Sequence, residues 1–245
     1  MNTHEFIKAV FYETEEKGKL NEYKKGFPIG KDENGEILLA QKREQSMTVR
    51  NTCVTGVGRT DFIRRMIMTL SCLYEKDQAC FFVLSPRVEY GELLRLQSVD
   101  ITIPYLRSKE DLDKAMDTLK ELMRMRTMGA GYPRLFLVLD GLNELSDTPN
   151  TGELEEYCAI NDLLVHKEDV DIITGLDLTK SIFAGHPGAF LGSGNCLVTT
   201  HQTGEADVTY VEDDFSLTAP TPITYPCEPS VVESIALLNT AHSNE

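Results

Sequence analysis

Tryptophan is absent from this 245-residue sequence. So is any apolar run of the roughly 18 residues that a membrane-spanning helix needs. No segment reads as a transmembrane span. The first twenty residues, MNTHEFIKAVFYETEEKGKL, lack the continuous apolar stretch of a secretory signal, so a cytoplasmic location is expected. No CxxC pair occurs. The six cysteines (Cys53, Cys72, Cys80, Cys158, Cys196 and Cys227) are scattered, and none lies near a histidine at metal-ligand spacing. They read as reduced thiols, mostly buried.

Cations are scarce in one part of the chain only. The formal net charge is -15. Residues 1–130 hold 21 Lys and Arg against 20 Asp and Glu, whereas residues 131–245 hold 3 (Arg134, Lys167, Lys180) against 19. The first part is therefore near neutral and the second strongly acidic. A duplex-binding surface needs several cations against phosphates. The C-terminal part cannot supply them and would repel DNA.

What the sequence does contain is an alternation of helical and strand patterns around one core, in line with its length. Phe6, Ile7, Val10 and Phe11 fall at helical spacing, giving residues 1–26 the character of a helical extension that packs on the domain. Asn34-Gly35 between two apolar segments predicts a hairpin. Residues 48–55 are β-rich and run into Gly56-Val57-Gly58, followed by a helical pattern through Phe62, Ile63, Met66, Ile67 and Leu70. The runs ACFFVL at 79–84 and RLFLVLD at 134–140 read as buried parallel strands, with a long amphipathic helix at 109–128 between them. Further on, residues 154–165 suggest a helix and 170–174 a strand. Residues 185–194 form a glycine-rich loop, 196–200 and 208–211 an edge hairpin, Pro220 to Pro229 an extended segment, and 230–238 a final helix. The expected class is α/β with a mostly parallel sheet flanked by helices.

One strand–turn–helix junction carries chemistry. A phosphate-binding loop needs GxxxxGK(S/T) between strand and helix. Loop N–H groups and the helix N-terminus surround the phosphates, lysine reaches the β- and γ-phosphates, and the hydroxyl joins Mg²⁺. Here the octapeptide is Cys53-Val54-Thr55-Gly56-Val57-Gly58-Arg59-Thr60. Cys53 replaces the first glycine and Arg59 the lysine. A guanidinium is larger than an ammonium and does not point a compact charge into the loop, although it can hold a phosphate bidentately. The acid expected at the end of a hydrophobic strand is Asp140. The next position, where many ATPases carry a water-activating glutamate, is Gly141, with Glu144 three residues on. Loss of such a base lowers hydrolysis by roughly 10²–10⁴-fold.

These residues resemble the FtsK/SpoIIIE family of P-loop motors, which includes DNA translocases and type VII secretion ATPases. Pro28-Ile29-Gly30-Lys31-Asp32-Glu33-Asn34-Gly35 is similar to that family's PIGxDxxG segment, and Thr55-Gly56-Val57-Gly58-Arg59-Thr60 to its TGSGK motif. Ser85-Pro86-Arg87 stands where the family has Asp-Pro-Lys. Residues 121–126 resemble its charged, Met-rich helix, Leu137-Val138-Leu139-Asp140 its acid-bearing strand, and Leu191-Gly192-Ser193-Gly194-Asn195-Cys196-Leu197 its LGxGDML segment. The resemblance covers residues 27–145 well and 165–235 in patches. It implies a RecA-like fold over residues 27–245, ATP bound at a subunit interface, hexamers, and movement of DNA or protein.

The departures fall at Cys53, Val57, Arg59, Ser85 and Gly141, on or beside positions that bear chemistry. What carries over is Gly56, Val57, Gly58, Arg59 and Thr60 as candidate phosphate contacts, and Thr60 with Asp140 as a candidate Mg²⁺ pair. The expectation is a degenerate ATPase domain that binds ATP and Mg²⁺ weakly or not at all. It would act as a structural or regulatory partner, through self-association or with an FtsK-like ATPase. The alternative is an active DNA- or protein-translocating ATPase in which Arg59 is the phosphate cation and Glu144 the base.

Overall fold

The computed structural model describes residues 1–40, 50–128, 131–145, 170–176, 195–202 and 204–242. The expected helix at 154–165 and the glycine-rich loop at 185–194 lie outside these residues, as do residues 191–194 of the LGxGDML-like segment and Cys158.

The apolar runs form strands because both of their faces are covered. In β6 (Arg134–Asp140), Phe136 and Val138 join one hydrophobic cluster, while Leu135, Leu137 and Leu139 join another on the opposite face. In β4 (Ala79–Leu84), Phe81 and Val83 face the first cluster, and Phe82 and Leu84 the second. α4 (Lys109–Met128) covers the second face with Leu112, Ala115, Met116, Leu119 and Met123. The first face is covered by α1 (Thr3–Glu16), α2 (Leu20–Gly26), α3 (Arg59–Ser71) and α5 (Val231–His242). The amphipathic side of α1 thus goes to the core: Phe6, Ile7 and Val10 are buried beside Phe62 and Ile63 of α3 in one cluster.

The described strands make one ten-stranded sheet. Its parallel part has the order β8 (Cys196–Gln202), β3 (Arg50–Gly56), β7 (Val170–Gly175), β6, β4, β5 (Asp100–Thr102). Beyond β8 the sheet turns antiparallel through β9 (Glu205–Tyr210), β10 (Thr221–Thr224), β1 (Pro28–Lys31) and β2 (Ile37–Leu39). The α/β architecture with a mostly parallel sheet is as expected.

One local expectation needs adjustment. The hairpin of β8 and β9 forms but is not at an edge. β8 pairs with β3 on its other side, and β9 with β10, a strand drawn from the proline-rich segment. Proline is tolerated there because β10 meets β1 only at Lys31–Thr224, so Pro222, which has no N–H, lies outside that pairing. The hairpin at Asn34-Gly35 is organised by Asp32, whose carboxylate accepts from the N–H groups of Asn34 and Glu36, both at 2.9 Å.

Helix α3 is buried on more than its apolar stripe. Arg65 is 4% exposed and donates to Asp61 (2.8 Å), Thr3 Oγ1 (2.8 Å), Cys227 O (2.7 Å) and Pro229 O (3.1 Å). One guanidinium therefore ties the start of α1 and the segment before α5 to the helix that follows the glycine turn.

Candidate functional site

β3 does not stop where a phosphate loop would begin. Its ladder with β8 continues through Cys53–Leu197, Val54–Val198, Thr55–Thr199 and Gly56–Thr200. Beyond it, the Val57 N–H donates to Thr200 O at 3.1 Å. Cys53 and Val54 pair with β7 as well. The four residues that should arch around a phosphate are therefore strand, and only Val57 and Gly58 form the turn into α3. Gly56 has φ 95°, and a Cβ on it would lie 2.0 Å from Thr200 O. Backbone packs directly on backbone where the cradle would be, and no side chain other than hydrogen fits. Gly58, at φ 81°, caps α3 without a side-chain hydrogen bond, and Val57 is exposed.

At the end of β6, Asp140 is fully buried. Its Oδ1 accepts from Arg59 Nε at 3.0 Å. Its Oδ2 accepts from Thr60 Oγ1 at 2.7 Å and from the Tyr90 hydroxyl at 3.0 Å, and it lies 3.5 Å from Arg87 Nε. Arg87 is also paired with Glu144 through its terminal nitrogen. Burial, followed by the neighbouring Asp140 charge, holds the Tyr90 hydroxyl well above its ordinary pKa, so it stays a neutral donor. Space for the carboxylate comes from β7. Gly175 stands opposite Asp140 in the ladder, and a Cβ there would be 2.3 Å from Asp140 Oδ1.

The structure thus brings Arg59, Thr60 and Asp140 together, while Gly56, Val57 and Gly58 form strand end and turn. Sequence reasoning missed Tyr90 and Gly175, and it saw Arg87 only as part of the segment that stands where the family has Asp-Pro-Lys. A signal for Tyr90 exists in hindsight. Arg87 and Tyr90 are three apart at the start of a 3₁₀ helix (Val88–Arg95), and that spacing places side chains on one side. Glu144, weighed as a base, is turned toward Arg87. Gly141 explains why: it has φ 73°, and a Cβ on it would lie 3.0 Å from Arg87 Nε and 3.1 Å from Glu144 Oε1.

The oxygens of Thr60 and Asp140 are of the kind Mg²⁺ takes. In this arrangement, however, they hydrogen-bond each other, and two guanidinium groups stand on the same carboxylate. A divalent cation would meet positive charge, and the β- and γ-phosphates would meet a strand. These residues, so placed, do not fit a Mg-nucleotide, and no catalytic step follows from them. Among the described residues no group of His, Cys, Asp or Glu is assembled for a metal, and the five described cysteines are not in disulfides.

No family model and no curated protein sequence matches the chain. Solved structures do match it. The cytoplasmic domain of the type VII secretion ATPase EccC from Thermomonospora curvata aligns with 86% of this chain at 15% identity and TM-score 0.56. EssC (ATPases 2 and 3) from Geobacillus thermodenitrificans aligns with 89% at 16% identity and TM-score 0.54. Thermomonospora curvata EccC (ATPases 2 and 3), in complex with a signal sequence peptide, aligns with 84% at 16% identity and TM-score 0.51. The chain spans 30%, 49% and 41% of those chains respectively. No described helix is long and apolar enough to cross a membrane. The α/β fold, with its ten-stranded mixed sheet, is that of the RecA-like ATPase domains of EccC and EssC.

Proposed function

We propose that this chain is a degenerate ATPase domain of the FtsK/SpoIIIE kind, with weak or absent nucleotide binding and little hydrolysis, that serves as a structural or regulatory partner in a motor or secretion assembly. The observation that carries this reading is the course of β3. The segment that would wrap a phosphate is paired in the sheet as far as Gly56, with Thr200 O occupying the space beside it. Phosphate binding by a P-loop depends on free backbone N–H groups directed inward, and Cys53 and Val54, paired with β8 and β7 alike, have none to offer. The Asp140 network supports the same reading. The acid, the hydroxyl and the cation of the site satisfy one another internally, so the domain holds its shape without a ligand. The near relations in fold suggest the setting, a multi-domain ATPase, and the acidic C-terminal part argues against DNA as this chain's own substrate.

The retained Thr60–Asp140 pair, at 2.7 Å, favours a second reading in which an unusual active site still turns over. Two measurements separate them. A ligand at a hundred times its Kd stabilises the folded state by about 2.7 kcal/mol, so a degenerate domain should show no rise in Tm with Mg-ATP and no calorimetric heat. Tight Mg-ATP binding together with turnover of about one per second or faster would overturn the proposal. The active reading requires that Arg59→Ala and Glu144→Gln each abolish hydrolysis.

A further inference from the structure

The 3₁₀ helix Val88–Arg95 runs for 8 residues, which is long for a geometry seldom kept beyond three or four. Side chains three apart eclipse in it, so it carries three stripes. Tyr90 and Leu93 form the buried one, continued by Leu96 just past its end. Glu89, Glu92 and Arg95 form a charged one. The third, Val88, Gly91 and Leu94, faces solvent. Val88 is 82% exposed and Leu94 58%. Three elements pin the helix in this setting. Tyr90 donates to Asp140 Oδ2 of β6 at 3.0 Å, Arg64 of α3 pairs with Glu92, and Asn239 of α5 donates to Arg95 O at 2.7 Å. The apolar stripe is thus held outward by a fixed platform.

Gly91 is not required by the chain's own fold. Its φ lies outside the left-handed region, and a Cβ on it would meet nothing within 4 Å. Glycine inside a helix destabilises it relative to alanine. What it leaves is a notch between Val88 and Leu94. At a rise of about 2.0 Å per residue those two stand roughly 12 Å apart, with Gly91 midway. An α-helix advances about 6 Å in four residues, so side chains at i, i+4 and i+8 of a helix laid along the stripe match its spacing. Charge sets the direction. Glu89 and Arg95 lie at opposite ends of the stripe, both exposed, and neither side chain is in an ion pair among the described residues. An antiparallel helix puts its first turn, where acids are favoured, over Arg95, and its last turn, where cations are favoured, over Glu89.

We infer that this stripe docks an amphipathic α-helix of a partner protein, antiparallel to the 3₁₀ helix. A large apolar side chain of the partner fills the Gly91 notch, an acid meets Arg95 and a cation meets Glu89. Packing in the notch supplies the affinity, and the two rim charges fix the orientation. The inference gives the structural or regulatory role proposed above a surface, and to that extent rests on that reading; it makes no use of nucleotide. A lipid surface is the poorer occupant, because a net charge of -15 is repelled by anionic membranes.

Fluorescence anisotropy tests the contact, with the full 245-residue chain titrated into two labelled helical peptides of about 15 residues. Both carry leucine at i, i+4 and i+8. One has glutamate in its first turn and lysine in its last, and the other has the reverse. The acid-first peptide is expected to bind, and the reversed one about tenfold more weakly or worse. Gly91→Leu, which fills the notch from open space, should abolish binding with Tm equal or higher. Glu89→Lys combined with Arg95→Glu should transfer the preference to the reversed peptide, which separates the rim charges from any difference in peptide helicity. No binding of the acid-first peptide, full binding by Gly91→Leu, or a preference that the charge swap leaves unmoved would each overturn the inference. So would binding to vesicles of phosphatidylcholine and phosphatidylserine in place of the peptide. Mg-ATP calorimetry judges the degenerate reading separately, since heat there would sink that reading and leave these titrations as they stand.

Discussion

A carboxylate shielded from water is tolerated only when donors and cations surround it, and Asp140 has Arg59, Thr60, Tyr90 and Arg87 around it. Removing it would leave two guanidinium groups facing each other across a buried gap. Asp140→Ala is therefore expected to cost about 3–5 kcal/mol, and Tyr90→Phe about 1–2 kcal/mol, read from urea midpoints without any nucleotide. An acid kept only to hold a metal would cost little when replaced in the metal-free protein. Asp140 and Thr60 were legible from sequence because a hydrophobic strand ending in an acid and a helix opening on a hydroxyl are local patterns. Tyr90 was not. Its partner is 50 residues away in sequence, and its three-residue spacing from Arg87 gains meaning only once the 3₁₀ helix is seen.

At the level of elements, β3 departs most from what its octapeptide suggested. Its β-rich composition was plain, but where it ends is decided by β8, a strand more than 140 residues further on that pairs with it as far as Gly56–Thr200. The pairing makes Gly56 intolerant. Gly56→Ala combines a φ of 95° with a clash against a carbonyl and should cost more than about 3 kcal/mol, seen as failure to fold or as a large drop in Tm. The elbow between α1 and α2 gives a pH-dependent prediction. Burial raises the pKa of Glu13, but hydrogen bonds from Tyr23, Lys19 and Lys17 together outweigh it and bring the carboxyl from 4.5 down to about 2. A carboxyl with a depressed folded-state pKa stabilises the fold above its unfolded pKa, and that contribution is lost as pH falls through the folded value. Glu13→Gln should therefore lower stability at neutral pH, and its difference from wild type should fade between about pH 4.5 and about 2, as followed by denaturation at a series of pH values. α1 itself was readable from its apolar spacing. Its attachment through Arg65 was not, since a cation reads as surface until three backbone and side-chain oxygens from distant segments are found around it.

Across the whole molecule, the sequence conveyed the class of fold because β4 and β6 are apolar on both faces, and only a sheet covered on both sides gives that pattern. Strand order was beyond it. The antiparallel flank that carries β9 and β10 draws on a hairpin and a proline-rich segment whose compositions suggest an edge and an extended stretch. The charge division was visible as a count, and the fold turns it into geography: the cation-free strands β9 and β10 lie to one side of β8, and α4 with its arginines covers the strands on the other.

On the proposed reading of a degenerate domain, the backbone around Gly56 and Gly141 also bears on whether ATP turnover could be introduced. Putting back the missing lysine and glutamate as Arg59→Lys with Gly141→Glu changes two side chains, but Cys53 through Gly56 would remain in the sheet, and a glutamate at φ 73° would press on Arg87. The double variant is expected to gain no measurable ATP turnover in a phosphate-release assay. Such turnover would require lifting four residues out of their ladder with β8, two of them paired with β7 as well, a change of chain path that no pair of substitutions delivers.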